Sequence, residues 1–256
     1  MLSLPTLSAI YDRYETFSHL ARDHFSGSLA GKFLLRSGLD AAGLTDLVAA
    51  SIAGACSLCV EPEAERLREA LRTGLCDFVV GPLDEALRIL KNELRRGLPV
   101  SVGLTTEPGG ALAAMVDRGL QPDLVSLPSG EPGSTFVERG ALTVPARDAP
   151  DPGAALIEWS PTADVARSMP QIARIAAQSF DPNRLDTPRR QRWLRSAPRH
   201  LGRTFAANHC VRMTTTETAD FVAAVRTLLP ATRITRDGAN LQADTAGRIF
   251  SVPPSV

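Results

Sequence analysis

The sequence from residue 27 to residue 58 reads GSLAGKFLLRSGLDAAGLTDLVAASIAGACSL. It predicts a short apolar strand at 33–35, a glycine-containing turn, a helix of small and apolar residues at 42–53, and a second apolar strand at 56–60. A strand, a crossover helix and a second strand in this order make a βαβ unit, in which the two strands lie parallel.

The same alternation continues on the C-terminal side of this unit. Before the unit, helical spacing predicts a helix at 10–24. After the unit, the sequence predicts helices at 63–71, 83–96 and 110–118, and strands at 76–80, 99–104 and 123–127. Strands this apolar, separated by helices, predict a parallel sheet that is covered on both faces. We therefore expect an α/β fold: a doubly wound, mostly parallel, Rossmann-like sheet in residues 1–127.

The rest of the chain changes in composition. Residues 128–153 are rich in Pro, Gly, Ser and Asp, with one weak strand at 141–144, and we expect a linker or surface loop there. Residues 154–256 again alternate between predicted strands and helices, with hairpins near Asp237-Gly238 and Ala246-Gly247. They predict a smaller α/β second lobe.

Composition limits the classes of function. The formal net charge is zero, so no global field gathers nucleic acid, an anionic membrane or an acidic substrate. We expect a cytoplasmic protein, because no apolar stretch would span a bilayer and the start lacks the pattern of a signal peptide. Four cysteines in apolar or mixed segments are expected as reduced thiols, and the His and Cys spacings predict no metal site.

The segments GSLAGK at 27–32, LDEAL at 83–87 and RGLQPD at 118–123 resemble urocanase. The resemblance runs from about residue 14 to residue 126 and implies a Rossmann-like NAD-binding domain of an enzyme that uses tightly held NAD+ as an electrophile on urocanate. Most of the family's polypeptide beyond this span has no counterpart here, so the chain is identified as a diverged and truncated member of the family.

The turn after the first strand carries Gly38 and Gly43, but Asp40 stands where the family has a third glycine. A glycine there would let the backbone approach a pyrophosphate at the helix N-terminus. The carboxylate of Asp40 would instead accept amide hydrogen bonds and repel phosphate. An N-capped structural helix and a phosphate cradle both stay open as interpretations of this turn.

Two further positions are candidates for holding a cofactor. Glu61 ends the second strand, where dinucleotide-binding folds place an acid that holds ribose hydroxyls, although it also suits an exposed acid that starts the next helix. Thr106 follows the fourth strand, where the resemblance implies a segment that touches the cofactor. The catalytic residues stay unknown at this point.

The second lobe offers two more candidates. The segments Trp193-Leu194 and His209-Cys210-Val211 resemble elements that open the family's catalytic portion, so Cys210 is either the cysteine near the nicotinamide or a buried structural thiol. Arginines at 189, 192, 195 and 199 share one helical face, which is either solvated or suited to a phosphate or an acidic protein surface.

These features predict a urocanase-like pseudoenzyme. We expect no tightly bound cofactor, with NAD as the candidate if one is present, and a role in binding a small ligand such as a nucleotide or a protein partner. The alternative is an NAD-dependent lyase that hydrates urocanate or a related imidazole-acrylate. The chain lacks a recognisable nucleic-acid reader motif, and the sequence is compatible with a homodimer.

Overall fold

The computed structural model describes residues 2–127, 134–145, 153–160, 169–205, 208–228, 233–236, 240–243 and 249–252. The chain divides into two compact units. The first comprises Met1–Asp148 and Arg199–Arg203, and the second comprises Ala149–Pro198 and Thr204–Val256.

The first unit contains a parallel sheet and the helices that cover it. Its strands are β1 (Phe33–Ser37), β2 (Cys56–Glu61), β3 (Phe78–Val80), β4 (Ser101–Thr105), β5 (Leu124–Ser126) and β6 (Leu142–Thr143). Its helices are α1 (Leu7–His24), α2 (Ala41–Ala53), α3 (Ala64–Thr73), α4 (Leu83–Arg96), α5 (Pro108–Asp117) and α6 (Ser134–Glu138). All described strand pairs in this sheet are parallel, and the spatial order is β3-β4-β2-β1-β5-β6. The Rossmann-like α/β fold is confirmed.

The central strands form the core of this unit. Every residue of β1 and β2 is buried, because helices cover both faces of the sheet. The chain runs from β1 to β2 on one side and later returns to β5 on the other side of β1. The topological switch point, where ligands of such sheets bind, therefore lies at the carboxyl ends of β1 and β5. The weak strand expected at 141–144 is β6, and it joins this sheet beside β5.

The second unit is built on a smaller antiparallel sheet. Its strands are β7 (Ala155–Ser160), β8 (His209–Met213) and β9 (Arg233–Arg236) in the order β8-β7-β9, with a separate hairpin of β10 (Asn240–Ala243) and β11 (Ile249–Val252). Helices α7 (Met169–Gln178) and α10 (Thr215–Leu228) belong to this unit. So do most of α8 (Thr187–His200) and the end of α9 (Gly202–Phe205), whereas Arg199–Arg203 belong to the first unit. The expected turns at Asp237-Gly238 and Ala246-Gly247 lie outside the described residues. No helix within the described ranges is both long enough and apolar enough to cross a membrane.

Candidate functional site

The turn between β1 and α2 is shaped by its two glycines. Gly38 has a φ of 79°, which favours glycine, and a Cβ added to it would meet nothing within 4 Å. Gly43 lies in the first turn of α2, and a Cβ there would come within 2.2 Å of the carbonyl oxygen of Gly38. Gly43 therefore lets the helix pack against its own preceding turn.

Asp40 caps α2. The amide of Gly43 donates to Oδ1 of Asp40 at 2.7 Å, and the same oxygen accepts from Nη2 of Arg36 at 3.1 Å. The N-cap that the sequence offered as one of two interpretations is thus present. One of the amides that an anion could use at this helix end carries a carboxylate of the chain itself.

Glu61, at the end of β2, hydrogen-bonds to the turn between β1 and α2. Its side chain is almost fully buried at the end of β2, and its Oε2 accepts a hydrogen bond from the amide of Leu39 at 2.6 Å. Its Oε1 accepts from the amide of Glu63 at 2.9 Å, and Arg66 lies 3.6 Å from Oε2. Both carboxylate oxygens are engaged within the protein, and the carboxylate is not the exposed acid that the sequence offered as an alternative.

Arg36 spans the switch point. Its buried side chain leaves β1 and donates through Nε to the carbonyl oxygen of Gly38 at 3.2 Å. Through Nη1 it donates to the carbonyl oxygen and the hydroxyl of Ser126 at 3.2 and 3.3 Å. The guanidinium therefore ties the end of β1 to the end of β5, where a ligand would enter the crevice.

Asp46 on α2 is the buried acid that lies beside Arg36 and Ser126. The hydroxyl of Ser126 donates to its Oδ2 at 2.5 Å, and Nη1 of Arg36 lies 3.9 Å from the same oxygen. Arg13 on α1 pairs with Oδ1 of Asp46 and donates to the carbonyl oxygen of Pro145 at 2.5 Å. We call Arg13, Arg36, Asp46 and Ser126 the switch-point cluster.

A pocket of about 550 Å³ lies beside this cluster, between the start of α1 and the first turns of α2. Its apolar wall includes Leu4, Pro5 and Ala9, and its polar wall includes Arg13 and Asp46. The volume lies within the range of small-molecule sites, and a mostly apolar lining with a few polar groups is typical of them.

The structure brings four of the five expected cofactor-binding residues together. Gly38, Asp40, Gly43 and Glu61 all belong to, or hydrogen-bond with, the turn between β1 and α2. Thr106 follows β4, on the same edge of the sheet but beyond β2, and is half-exposed. No hydrogen bond among the described residues joins Thr106 to that turn.

The switch-point cluster was missed from sequence, although a signal existed. Arg36 is the one charged residue of β1, and Asp46 is the one charged residue of α2. A charge in a fully buried strand needs a partner, and an acid on an otherwise uncharged helix next along the chain is the natural one.

The comparison with known families concerns this same part of the chain. Residues 10–128 match the family model of the urocanase Rossmann-like domain. This part of the chain is therefore similar to a urocanase Rossmann-like domain. At 256 residues the chain is shorter than a full-length urocanase.

Urocanase Rossmann-like domains belong to a family that binds NAD, so the turn can be tested for its fit to a diphosphate. The amides of Leu39 and Gly43 already donate to carboxylates, and Arg36 is turned inward to carbonyl oxygens and to acids. These donors do not fit a diphosphate without rearrangement, because their hydrogen bonds are already used and Asp40 adds negative charge.

The thiols of the urocanase-like domain are buried. Burial raises the pKa of Cys56 to about 11 and that of Cys76 to about 12, and it holds the pKa of Cys59 well above its usual value. Cys56 donates to the carbonyl oxygen of Leu98, whereas Cys59 donates to that of Gly38. These thiols therefore stay protonated near neutral pH and are poor nucleophiles. Within the described residues no group of three or more His, Cys, Asp or Glu side chains could hold a metal.

The candidates in the second unit have different environments. Cys210 is fully buried in β8, as expected of a structural thiol. The arginine face of α8 is mixed, because Arg195 and Arg199 are exposed while Arg189 and Arg192 are partly buried.

One arginine of α8 is internal. Arg190 is fully buried, and its Nη1 and Nη2 donate to the two carboxylate oxygens of Glu217 at 2.8 and 3.0 Å. Its guanidinium also lies 4.3 Å from the ring centre of Phe180. A buried arginine requires such a paired and hydrogen-bonded environment.

Proposed function

We propose that this protein uses its urocanase-type domain as a binding scaffold, without tightly bound NAD+ and without classical urocanate hydration. The proposed ligand is a small molecule at the pocket beside α2, and a nucleotide is one class of such molecules. The main support is the pair of carboxylates of Asp40 and Glu61 on the amides of Gly43 and Leu39. These carboxylates occupy hydrogen-bond donors that a diphosphate would require.

The switch-point cluster also supports this proposal. A nicotinamide dinucleotide would lie across the carboxyl ends of β1 and β5, where Arg36 bridges to Ser126. Displacing Arg36 would leave Asp46 buried with one cation fewer, which is costly in a low-dielectric interior. The adjacent pocket of about 550 Å³ needs no such rearrangement.

The test is to denature the purified protein and to search the released small molecules for NAD+ by mass spectrometry. We expect no stoichiometric NAD+, and we expect calorimetry to show only weak binding of added NAD+. A dissociation constant in the low-micromolar range or tighter would overturn the proposal. A different co-purified molecule would identify the ligand.

Two variants distinguish an occupied amide from charge repulsion as the cause of weak NAD+ binding. Asp40→Gly removes both the charge and the acceptor on the amide of Gly43, whereas Asp40→Ser removes the charge and keeps an N-cap acceptor. If the occupied amide excludes NAD+, only the glycine variant gains affinity. If charge repulsion excludes NAD+, both variants gain.

The second candidate function is an NAD-dependent lyase acting on urocanate or a related imidazole-acrylate. The observation in its favour is Gly38, whose positive φ and open surroundings allow close approach of a ligand to the backbone. Loss of the ultraviolet absorbance of urocanate measures this reaction, and we expect none above background. Turnover that disappears in Cys210→Ala would favour the lyase instead.

A further inference from the structure

A second groove lies in the second unit, between α7 and α8, and has a volume of about 680 Å³. It is separate from the urocanase-like domain, and the role proposed for that domain does not depend on it. Apolar side chains form most of its wall, including Met169, Ala173, Ala177 and Leu194. An apolar groove of this size can take the body of a small organic molecule.

Two arginines flank the groove from opposite helices. Arg174 on α7 and Arg195 on α8 both line it and are both exposed. Neither forms an ion pair with a carboxylate of the described residues, whereas Arg189 and Arg190 of the same α8 both pair with Asp186. The groove thus carries two positive charges that no carboxylate of the described residues neutralises.

His209 provides a polar group in the wall of the groove. Its side chain is only 6% exposed, and its ring stacks on Trp159 with 5.8 Å between ring centres. Burial lowers the pKa of His209 to about 4, so the imidazole is neutral near pH 7 and offers one donor and one acceptor. Neither ring nitrogen has a hydrogen-bond partner among the described residues.

A neutral imidazole in the wall of a groove can donate or accept one hydrogen bond to a molecule bound there. We propose that this groove binds an organic anion, with its carboxylate or phosphate between Arg174 and Arg195 and its apolar body on the wall. His209 donates or accepts one further hydrogen bond to the bound molecule. Guanidinium groups suit both head groups because they bind either one through two parallel hydrogen bonds.

Tryptophan fluorescence gives a direct test in the full chain. The two tryptophans, Trp159 and Trp193, are both buried in the second unit, and Trp159 contacts His209. We expect octanoate and octyl phosphate to change the emission saturably, and octanol, the neutral analogue, to bind at least about tenfold more weakly. The difference between the two anions identifies the preferred head group.

Variants locate the site. Arg174→Gln and Arg195→Gln should each weaken octanoate binding about tenfold, since each removes a charge-assisted hydrogen bond. Arg88→Gln, which removes an exposed arginine from α4 of the first unit, is the matched control and should leave the affinity unchanged. Ala177→Phe should abolish binding by filling the groove.

Three results would overturn the proposal: no saturable change with either anion, equal affinity for octanol, or unchanged affinity in both groove-arginine variants. Because Arg174 and Arg195 are exposed, their variants are expected to fold, which the melting temperature checks. None of these outcomes depends on whether the urocanase-like domain binds NAD+.

Discussion

Asp46 is the residue on which the buried charges of the first unit depend. It lies between Arg13 and Arg36 and accepts a hydrogen bond from Ser126. Among the described residues, Asp46→Ala would leave the buried Arg36 with only the exposed Asp40 as an acidic partner. We expect a loss of about 3–5 kcal/mol in the free energy of unfolding, because an uncompensated buried charge remains. Urea denaturation followed by circular dichroism measures this.

The matched control is Asp84→Ala, which removes the acid of the exposed pair Arg118–Asp84. Its cost should be at most about 1 kcal/mol, since exposed ion pairs contribute little. Replacing both buried partners, in Arg36→Met with Asp46→Leu, should recover part of the stability lost in Asp46→Ala. Equal costs for Asp46→Ala and Asp84→Ala would show that Asp46 does not neutralise a buried charge.

Local chemistry explains which site residues the sequence could predict. The cap at Asp40 was foreseeable because an N-cap acceptor and its amide are only three residues apart. The bond from the amide of Leu39 to Glu61 spans 22 residues and depends on how β2 lies beside β1. The contact between Arg36 and Ser126 spans 90 residues and requires β5 to pair on the far side of β1. Only the assembled sheet brings these groups together.

Among the elements, α2 packs its first turn closely against the turn that precedes it. In Gly43→Ala, the added Cβ would lie 2.2 Å from the carbonyl oxygen of Gly38, so the backbone of the turn or of the helix must move. We expect a loss of about 1–3 kcal/mol, as for other overpacked sites. Thermal unfolding measures it.

Gly110→Ala is the matched control, in the first turn of α5. A Cβ at Gly110 would meet nothing within 4 Å, and no left-handed backbone is needed there. Because alanine has the higher helix propensity, this variant should gain up to about 1 kcal/mol. A gain in both variants would show that the close approach at Gly43 relaxes at no cost.

Elements with a strong periodic pattern were predictable, and short ones were not. The helix predicted at 83–96 is α4 with the same bounds, because its apolar face, its proline start and its glycine end agree. The short helices α6 and α9 were missed, since one turn of helix is stabilised by its tertiary contacts rather than by its own sequence. The strand predicted at 76–80 is shortened to β3, whose pairing with β4 starts at Phe78.

At the scale of the whole molecule, the two units contain different titrating groups. The second unit contains His209, with a pKa of about 4 against the usual 6.5, and Glu217, with a pKa of about 2 against 4.5. Burial alone would raise the pKa of Glu217, but hydrogen bonds from Arg190, Thr214 and Asp181 outweigh it. The first unit contains the buried thiols of Cys56, Cys59 and Cys76, whose pKa values are raised, and also His200, whose pKa is lowered by burial.

The lowered pKa values limit stability at low pH, and the raised pKa values limit it at high pH. A group whose pKa is lowered by folding stabilises the native state above its usual pKa and loses that contribution as the pH falls. The second unit should therefore lose stability from pH 6.5 to about 4 through His209, and from 4.5 to about 2 through Glu217. The raised thiol pKa values act in reverse, so the first unit should lose stability as the pH rises from 9.0 towards about 12.

Tryptophan emission reports the unfolding of the second unit, because both tryptophans lie there. It can therefore measure the loss of stability at low pH apart from the loss in the first unit at high pH. Urea midpoints followed by emission should fall as the pH drops below 6.5. His209→Phe, which keeps an aromatic ring beside Trp159, should flatten this fall between pH 6.5 and about 4. Glu217→Gln should be less stable at neutral pH, because Arg190 loses its carboxylate, and should flatten the fall between pH 4.5 and about 2. An acid limit that keeps its wild-type slope in both variants would show that other carboxylates control it.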